Sequence, residues 1–167
     1  MAPIAPKDWY KSDFLISTSH TLLQPDTINQ FFGTDAMYWT SPLPEDPLKK
    51  MLDNSLCFGL YALPQSSAEI AGRANPRQIG LARLVTDEVS FAYLTDVYVQ
   101  SEYQGKGLGK WLIGCVDEVL MSWPHLRRAM LVTSNGGRFY KEVMGMKQFE
   151  SGIEVFSKKG AGSVLDE

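Results

Sequence analysis

The chain has 167 residues, 44% hydrophobic and 21% charged, which fits one globular domain able to fold without disulfides or metals. A formal charge of −3 and an isoelectric point near 5.4 argue against a nucleic-acid partner, since phosphate contacts need a basic surface. No apolar run approaches the roughly 20 residues of a membrane span, and the opening Met1-Ala2-Pro3-Ile4-Ala5-Pro6 lacks the charged start and apolar core of a signal peptide.

Cys57 and Cys115 both lie in apolar segments and read as buried free thiols of a reducing compartment. The expected address is the cytoplasm, with the nucleus also open. The two histidines, His20 and His125, are as scattered as the cysteines, so no metal is expected. Residues 1–10 read as a flexible lead-in and Asp13–Ser17 as a first strand. Pro25–Phe32 opens a helix with proline in its first turn, stopped by Gly33. Met37–Pro44 is an aromatic, proline-rich loop, and Glu45–Leu52 a second helix. Ser55–Leu63 is aromatic and apolar, bounded by Asn54 and Pro64, and begins a meander. Pro64–Arg77 is a loop. Gln78–Thr86 and Phe91–Val99 are strands joined by an Asp87-Glu88 turn, hence antiparallel.

From Leu108 the period changes. Leu108, Trp111, Leu112, Cys115, Val116, Val119 and Leu120 form the stripe of an amphipathic helix, which Pro124 ends. Arg128–Thr133 reads as a strand and Arg138–Met144 as a helix closed by Gly145. Phe149–Lys158 reads as one or two closing strands, and Gly160–Glu167 as a flexible tail. The order implies an α+β, or mixed α/β, architecture around one core, with the whole of 1–167 as a single domain.

The segment richest in chemistry is Gln104-Gly105-Lys106-Gly107-Leu108-Gly109-Lys110, between a strand and a helix. Its glycines let backbone amides approach a ligand, and a helix start offers unpaired N–H donors and a positive dipole end. Together these suit phosphates. A Walker A loop would need Ser or Thr after Gly109-Lys110, where Trp111 stands. A dinucleotide fingerprint would need glycine at Lys110. The pattern left is Gln104-x-x-Gly107-x-Gly109, which on its own also suits an exposed helix-capping turn.

Some 30 residues on comes Arg138-Phe139-Tyr140-Lys141-Glu142-Val143-Met144-Gly145-Met146. With that second segment the chain resembles the GNAT superfamily of acetyl-CoA-dependent N-acetyltransferases, over roughly Gln78 to Phe156. The glycine loop looks like the family's Gln/Arg-x-x-Gly-x-Gly/Ala pyrophosphate loop. The later run looks like its Phe-Tyr…Gly-Phe segment, with Met146 where Phe is usual. The resemblance implies a GNAT-like fold: a central, mostly antiparallel twisted sheet splayed between two strands and flanked by helices on both faces. It implies acetyl-CoA as cosubstrate and direct acetyl transfer to a primary amine of a small molecule or peptide. A non-catalytic acyl-CoA-binding regulatory domain is the alternative. No nucleic-acid or membrane partner is expected, and homodimerisation is open.

The resemblance also assigns roles. Pantetheine would pair with the backbone of Val97 and Val99, freed by a bulge near Tyr98, and an N–H near Tyr98 or Val99 would polarise the thioester. The pyrophosphate would lie on the amides of Gly105, Lys106, Gly107, Leu108 and Gly109, beside Gln104 and Lys110. Tyr140 is the family-equivalent acid, or else a core aromatic. Asp96, the ionisable side chain inside Phe91–Val99, is a proton acceptor, an ammonium binder or a structural hydrogen-bond partner; the glutamate the family often carries three residues earlier is Tyr93 here. Asn135 either contacts the cofactor or serves the Asn-Gly turn. Phe31, Tyr38 and Trp39 either wall the acceptor pocket or belong to the core. The acidic isoelectric point slightly favours cationic acceptors.

Overall fold

The computed structural model describes residues 5–150 and 152–165. Residues 1–4 and 166–167, parts of the two ends expected to be flexible, lie outside the described residues, as does Ser151. The elements are β1 (Asp8–Lys11), β2 (Phe14–Ser17), α1 (Pro25–Phe32), α2 (Glu45–Asp53), β3 (Leu56–Ala62), α3 (Ser67–Ala71), β4 (Arg77–Thr86), β5 (Phe91–Val99), α4 (Leu108–Met121), β6 (Arg128–Met130) and α5 (Gly137–Met144). The strands form one sheet in sequential order. β1 to β5 run antiparallel, and β6 joins β5 in parallel after the α4 crossover.

Alternation along the strands builds two cores, not the single one expected. Phe58, Leu60, Ala82, Leu84, Ala92 and Leu94 point to one face and pack with Leu108, Leu112, Cys115 and Val116 of α4. Cys57 and Leu81 point to the other and pack with Ile28, Phe31 and Phe32 of α1 and Leu48 and Leu52 of α2. The period-2 side-chain alternation of a strand makes this division automatic. Both cysteines are free and buried, as expected.

Four departures have local causes. Residues 8–11 form a strand because Trp9 stacks on Phe58 at 6.0 Å and its Nε1 donates to Glu118 of α4. A two-residue turn at Ser12 and Asp13 then pairs Lys11 with Phe14, with Ser12 in the left-handed region. Inside the expected 64–77 loop, Ser66 and Glu69 make a capping box that starts α3. β6 ends at Met130, not Thr133, because its pairing with β5 stops at Tyr93↔Met130. The closing strands expected in 149–158 do not form among the described residues, since the neighbouring edge, β6, is only three residues long.

The β4–β5 hairpin is held by Asp87, whose Oδ1 accepts from the amides of Val89, Ser90 and Phe91. These bonds, led by the Ser90 hydroxyl on Oδ2, hold its carboxyl far below the usual carboxylate range. Gly80 lets β4 and β5 approach: a Cβ there would stand 2.7 Å from the Tyr98 carbonyl oxygen and 3.1 Å from Leu60 Cδ2. The backbone oxygen cannot retreat without moving β5. Gly80→Ala is therefore expected to destabilise the fold by about 1–3 kcal/mol, read as a lower urea midpoint at unchanged slope.

Candidate functional site

The pairing of β4 and β5 shifts register between Leu81↔Tyr98 and Arg83↔Thr95. Ala82 thus faces two residues, Asp96 and Val97, and Asp96 takes a positive φ of 52°. The bulge expected near Tyr98 accordingly sits one to two residues earlier. It turns Asp96 away from the α4 core and onto the face of Arg83. Asp96 is buried, and both carboxylate oxygens are engaged. Oδ2 accepts from Arg83 Nε at 2.7 Å, and Oδ1 accepts from Trp39 Nε1 at 3.1 Å. Arg83 also donates from Nη1 to Ser55 Oγ at 3.0 Å, and Ser55 donates to the Met51 carbonyl at 2.8 Å. The chain of contacts ties β5 through β4 to α2.

Past the bulge the alternation is reset. Val97 and Val99 pack toward α4, while Tyr98 meets Phe31 at 4.9 Å on the opposite face. Because β6 has already parted from β5, the β5 backbone beyond Tyr93 has no strand neighbour on that side. The sheet is therefore splayed, and a wedge opens between β5 and β6.

At the top of β5, Gly105 and Gly107 adopt φ of 77° and 76°, and a Cβ built on either meets no atom within 4 Å. The left-handed turn is what these glycines permit. Gly107 is the N-cap of α4. Among the described residues, the amides of Gly105 to Lys110 donate to no other protein group, leaving a run of N–H donors at a positive helix end. Gln104 is exposed, and its Nε2 donates to the Val99 carbonyl at 2.8 Å, fastening the loop to its strand.

On the far side of the wedge, α5 carries Tyr140, half-buried against the same cluster as Val97 and Val99. Its hydroxyl has no hydrogen-bond partner among the described residues, and burial pushes its pKa up. The preceding turn is closed by the Gly136 amide donating to Thr133 Oγ1 at 2.9 Å, which leaves the Asn135 side chain exposed. Ser134 Oγ meets Tyr38 Oη at 2.5 Å, and Tyr38 stands edge-on to Trp39 at 5.2 Å. Tyr38, Trp39 and Asp96 thus form one bridge from the α1–α2 connection to β5, reaching the β6–α5 turn through Ser134. Phe31, at 4% exposure, lies in the core beneath it. Sequence reading missed Arg83 and Ser134. A charged residue within the apolar run 78–86 was the available signal for Arg83; Ser134 gave none.

The splayed sheet thus presents free amides at a helix mouth and a phenol across the wedge. The sequence matches the acetyltransferase (GNAT) family over residues 28–146. It is 38% identical to "Putative acetyltransferase FG08082" of Gibberella zeae, with 95% of this chain and 96% of that protein aligned. It is 31% identical over 66% of its length to histone acetyltransferase TAP1 of Glycine max, of which it spans 49%. A crystal structure of a GNAT-family protein from Xanthomonas campestris pv. campestris superposes with a TM-score of 0.68 at 27% identity, covering 89% of this chain and 94% of that one. The chain belongs to the GNAT acetyltransferase family.

Removing one partner of the Arg83–Asp96 pair leaves a buried charge uncompensated. Asp96→Ala is expected to lose about 3–5 kcal/mol of stability, whereas Arg83→Met combined with Asp96→Ala loses clearly less. Urea unfolding of the three proteins measures the difference.

Proposed function

We propose that this chain is a single-domain N-acetyltransferase that takes an acetyl group from acetyl-CoA and passes it directly to a primary amine of a small molecule or peptide. The observation that carries this reading is the wedge between β5 and β6, with unpaired amides at one end and an unpartnered phenol on its flank. The donor set fits a diphosphate: the amides of Gly105 to Lys110 are free, and the glycines leave the approach clear. In this reading the unpaired β5 backbone at Val97 and Val99 orients the pantetheine arm, and an amide near Tyr98 or Val99 withdraws charge from the thioester carbonyl. In the same reading Asn135, exposed on the β6–α5 turn, contacts that arm.

The amine displaces the thiol, and the sulfur departs with developing negative charge. Tyr140 donates a hydrogen bond to it. A phenol of pKa about 10 does not readily surrender its proton to a thiolate of pKa about 8.5, and burial raises the phenol further. The hydroxyl therefore stays protonated through the neutral range and acts as a positioned donor. Asp96 holds the bulge through Arg83 and Trp39; with both oxygens engaged, it is better placed to position β5 than to take a proton. The amine sheds its proton to water. Tyr38 and Trp39 wall the acceptor approach, and Phe31 supports Tyr98 from below.

The cytoplasm suits the two free, buried thiols. Among the described residues no helix is long and apolar enough to cross a membrane.

Thiol release from acetyl-CoA across a panel of polyamines, amino sugars and basic peptides tests the activity; calorimetric CoA binding without turnover on any of them would favour a regulatory acyl-CoA-binding role. Tyr140→Phe is expected to cut kcat by about 100-fold while acetyl-CoA affinity stays within about twofold. Because the phenol's pKa is raised, protonation is kept to higher pH. The alkaline loss of activity that Tyr140→Phe abolishes should fall above pH about 10. Unchanged turnover in Tyr140→Phe would remove the residue from the mechanism.

A further inference from the structure

Two glycines open α5, and their surroundings differ. At Gly137, the first helical residue, a Cβ would meet no atom within 4 Å. At Gly136, the N-cap, a Cβ would stand 2.9 Å from Thr133 Oγ1 and 3.1 Å from Tyr140 Cε2. Gly136 has φ −90° and ψ 1°, a conformation open to other residues, so its backbone does not require glycine. Capping does not require it either, since Ser, Asp and Asn serve an N-cap better. What requires glycine is the close approach of the Tyr140 ring.

Tyr140 takes its position from this one residue twice. Its amide donates to the Gly136 carbonyl at 3.3 Å, and its ring edge fills the space where a side chain at 136 would project. Phe139 stands edge-on to the ring at 5.2 Å. The phenol hydroxyl has no hydrogen-bond partner among the described residues, so packing alone directs the ring. The turn that carries Gly136 is pinned on both sides. Its amide donates to Thr133 Oγ1, and the neighbouring Ser134 is bonded to Tyr38. A side chain at 136 therefore displaces the ring by a few tenths of an ångström. Cε2 is bonded to the carbon that bears the hydroxyl, so the hydroxyl moves with it.

We infer that Gly136 is a positioning residue: the space left by its missing side chain aims the Tyr140 hydroxyl at the departing sulfur. This rests on the acetyl-transfer reading above, in which Tyr140 donates to that sulfur. A misplacement of about 1 Å costs up to about 100-fold in rate, so a few tenths correspond to about five- to tenfold.

The test is steady-state kinetics of the full chain with acetyl-CoA and the best amine of the panel. Gly136→Ser adds the Cβ but keeps a capping oxygen, so α5 is not weakened. It should lower kcat about five- to tenfold, with the thermal midpoint near that of the wild type and acetyl-CoA affinity unchanged by calorimetry. Gly136→Ala adds the same Cβ and should show the same loss. Gly137→Ala, which adds a Cβ in open space, should leave kcat unchanged. Tyr140→Phe keeps the ring and lacks the hydroxyl; in that background Gly136→Ser should have no further effect on kcat. A purely structural role would give the same loss in both backgrounds. That result, or unchanged kcat in Gly136→Ser and Gly136→Ala, would overturn the positioning role while leaving acetyl transfer intact. If Tyr140→Phe alone left turnover unchanged, or if no amine were acetylated, the reading above would fail and the role of Gly136 with it.

Discussion

The bulge at Asp96 and Val97 is the constraint on which the rest of the site depends. A regular strand would send Asp96 into the apolar core under α4 and Val97 toward α1. The inserted residue reverses both. It gives Asp96 the Arg83 guanidinium and the Trp39 indole as partners, returns Val97 and Val99 to the α4 core, and seats Tyr98 on Phe31. Bulges also bend the strand that carries them. Here the bulge lies three residues past the last β5–β6 pair at Tyr93 and Met130, so the altered alternation and the unpaired backbone fall on the same stretch of β5.

A left-handed aspartate costs energy, since only glycine adopts that region without steric penalty. A buried ion pair is no cheap compensation, because desolvation consumes most of the Coulomb attraction. The pair is better understood as a specificity device. An apolar residue at position 96 would satisfy the α4 core in the unbulged register. Aspartate makes that register prohibitive, because it would bury an unpaired carboxylate. The bulge is thus enforced by what the alternative would bury, and Ser55 and Trp39 complete the hydrogen bonding that makes the bulged register acceptable.

Periodicity was legible wherever an element meets a single, well-defined surface. The bounds of Phe91–Val99, of Pro25–Phe32 and the start of α4 at Leu108 were legible, although the bulge at Asp96 and Val97 breaks the alternation within β5, and Gly107 and Gly109 mark the helix mouth. What could not be read depends on partners distant in sequence. β1 exists because Trp9 finds Phe58 and Glu118, more than forty and one hundred residues away. Phe149–Lys158 has the composition of a strand but no edge long enough to join. Asp96 stood out as a charge in an apolar strand, yet its partner Arg83 could be assigned only once the register was known, because a shift of one residue moves a side chain to the other face.

The two faces of β5 divide the labour in a way that follows from strand geometry alone. The unpaired edge and the mouth of α4 are backbone features, set by three glycines and a break in strand pairing, and they suit a donor whose diphosphate and amide-bearing arm can be held without side-chain recognition. The opposite face carries Arg83, Trp39, Tyr38 and Tyr98, whose side chains belong to α1, α2 and their connection as much as to the sheet. In the proposed reading, substitutions at Tyr38 reshape the acceptor approach without altering the donor cradle, provided the Asp96–Arg83 pair still holds the bulge. In the proposed reading, a backbone-built donor site is coupled to a side-chain-built acceptor site by a single irregular residue, so that acceptor choice can vary while the chemistry at the thioester stays fixed.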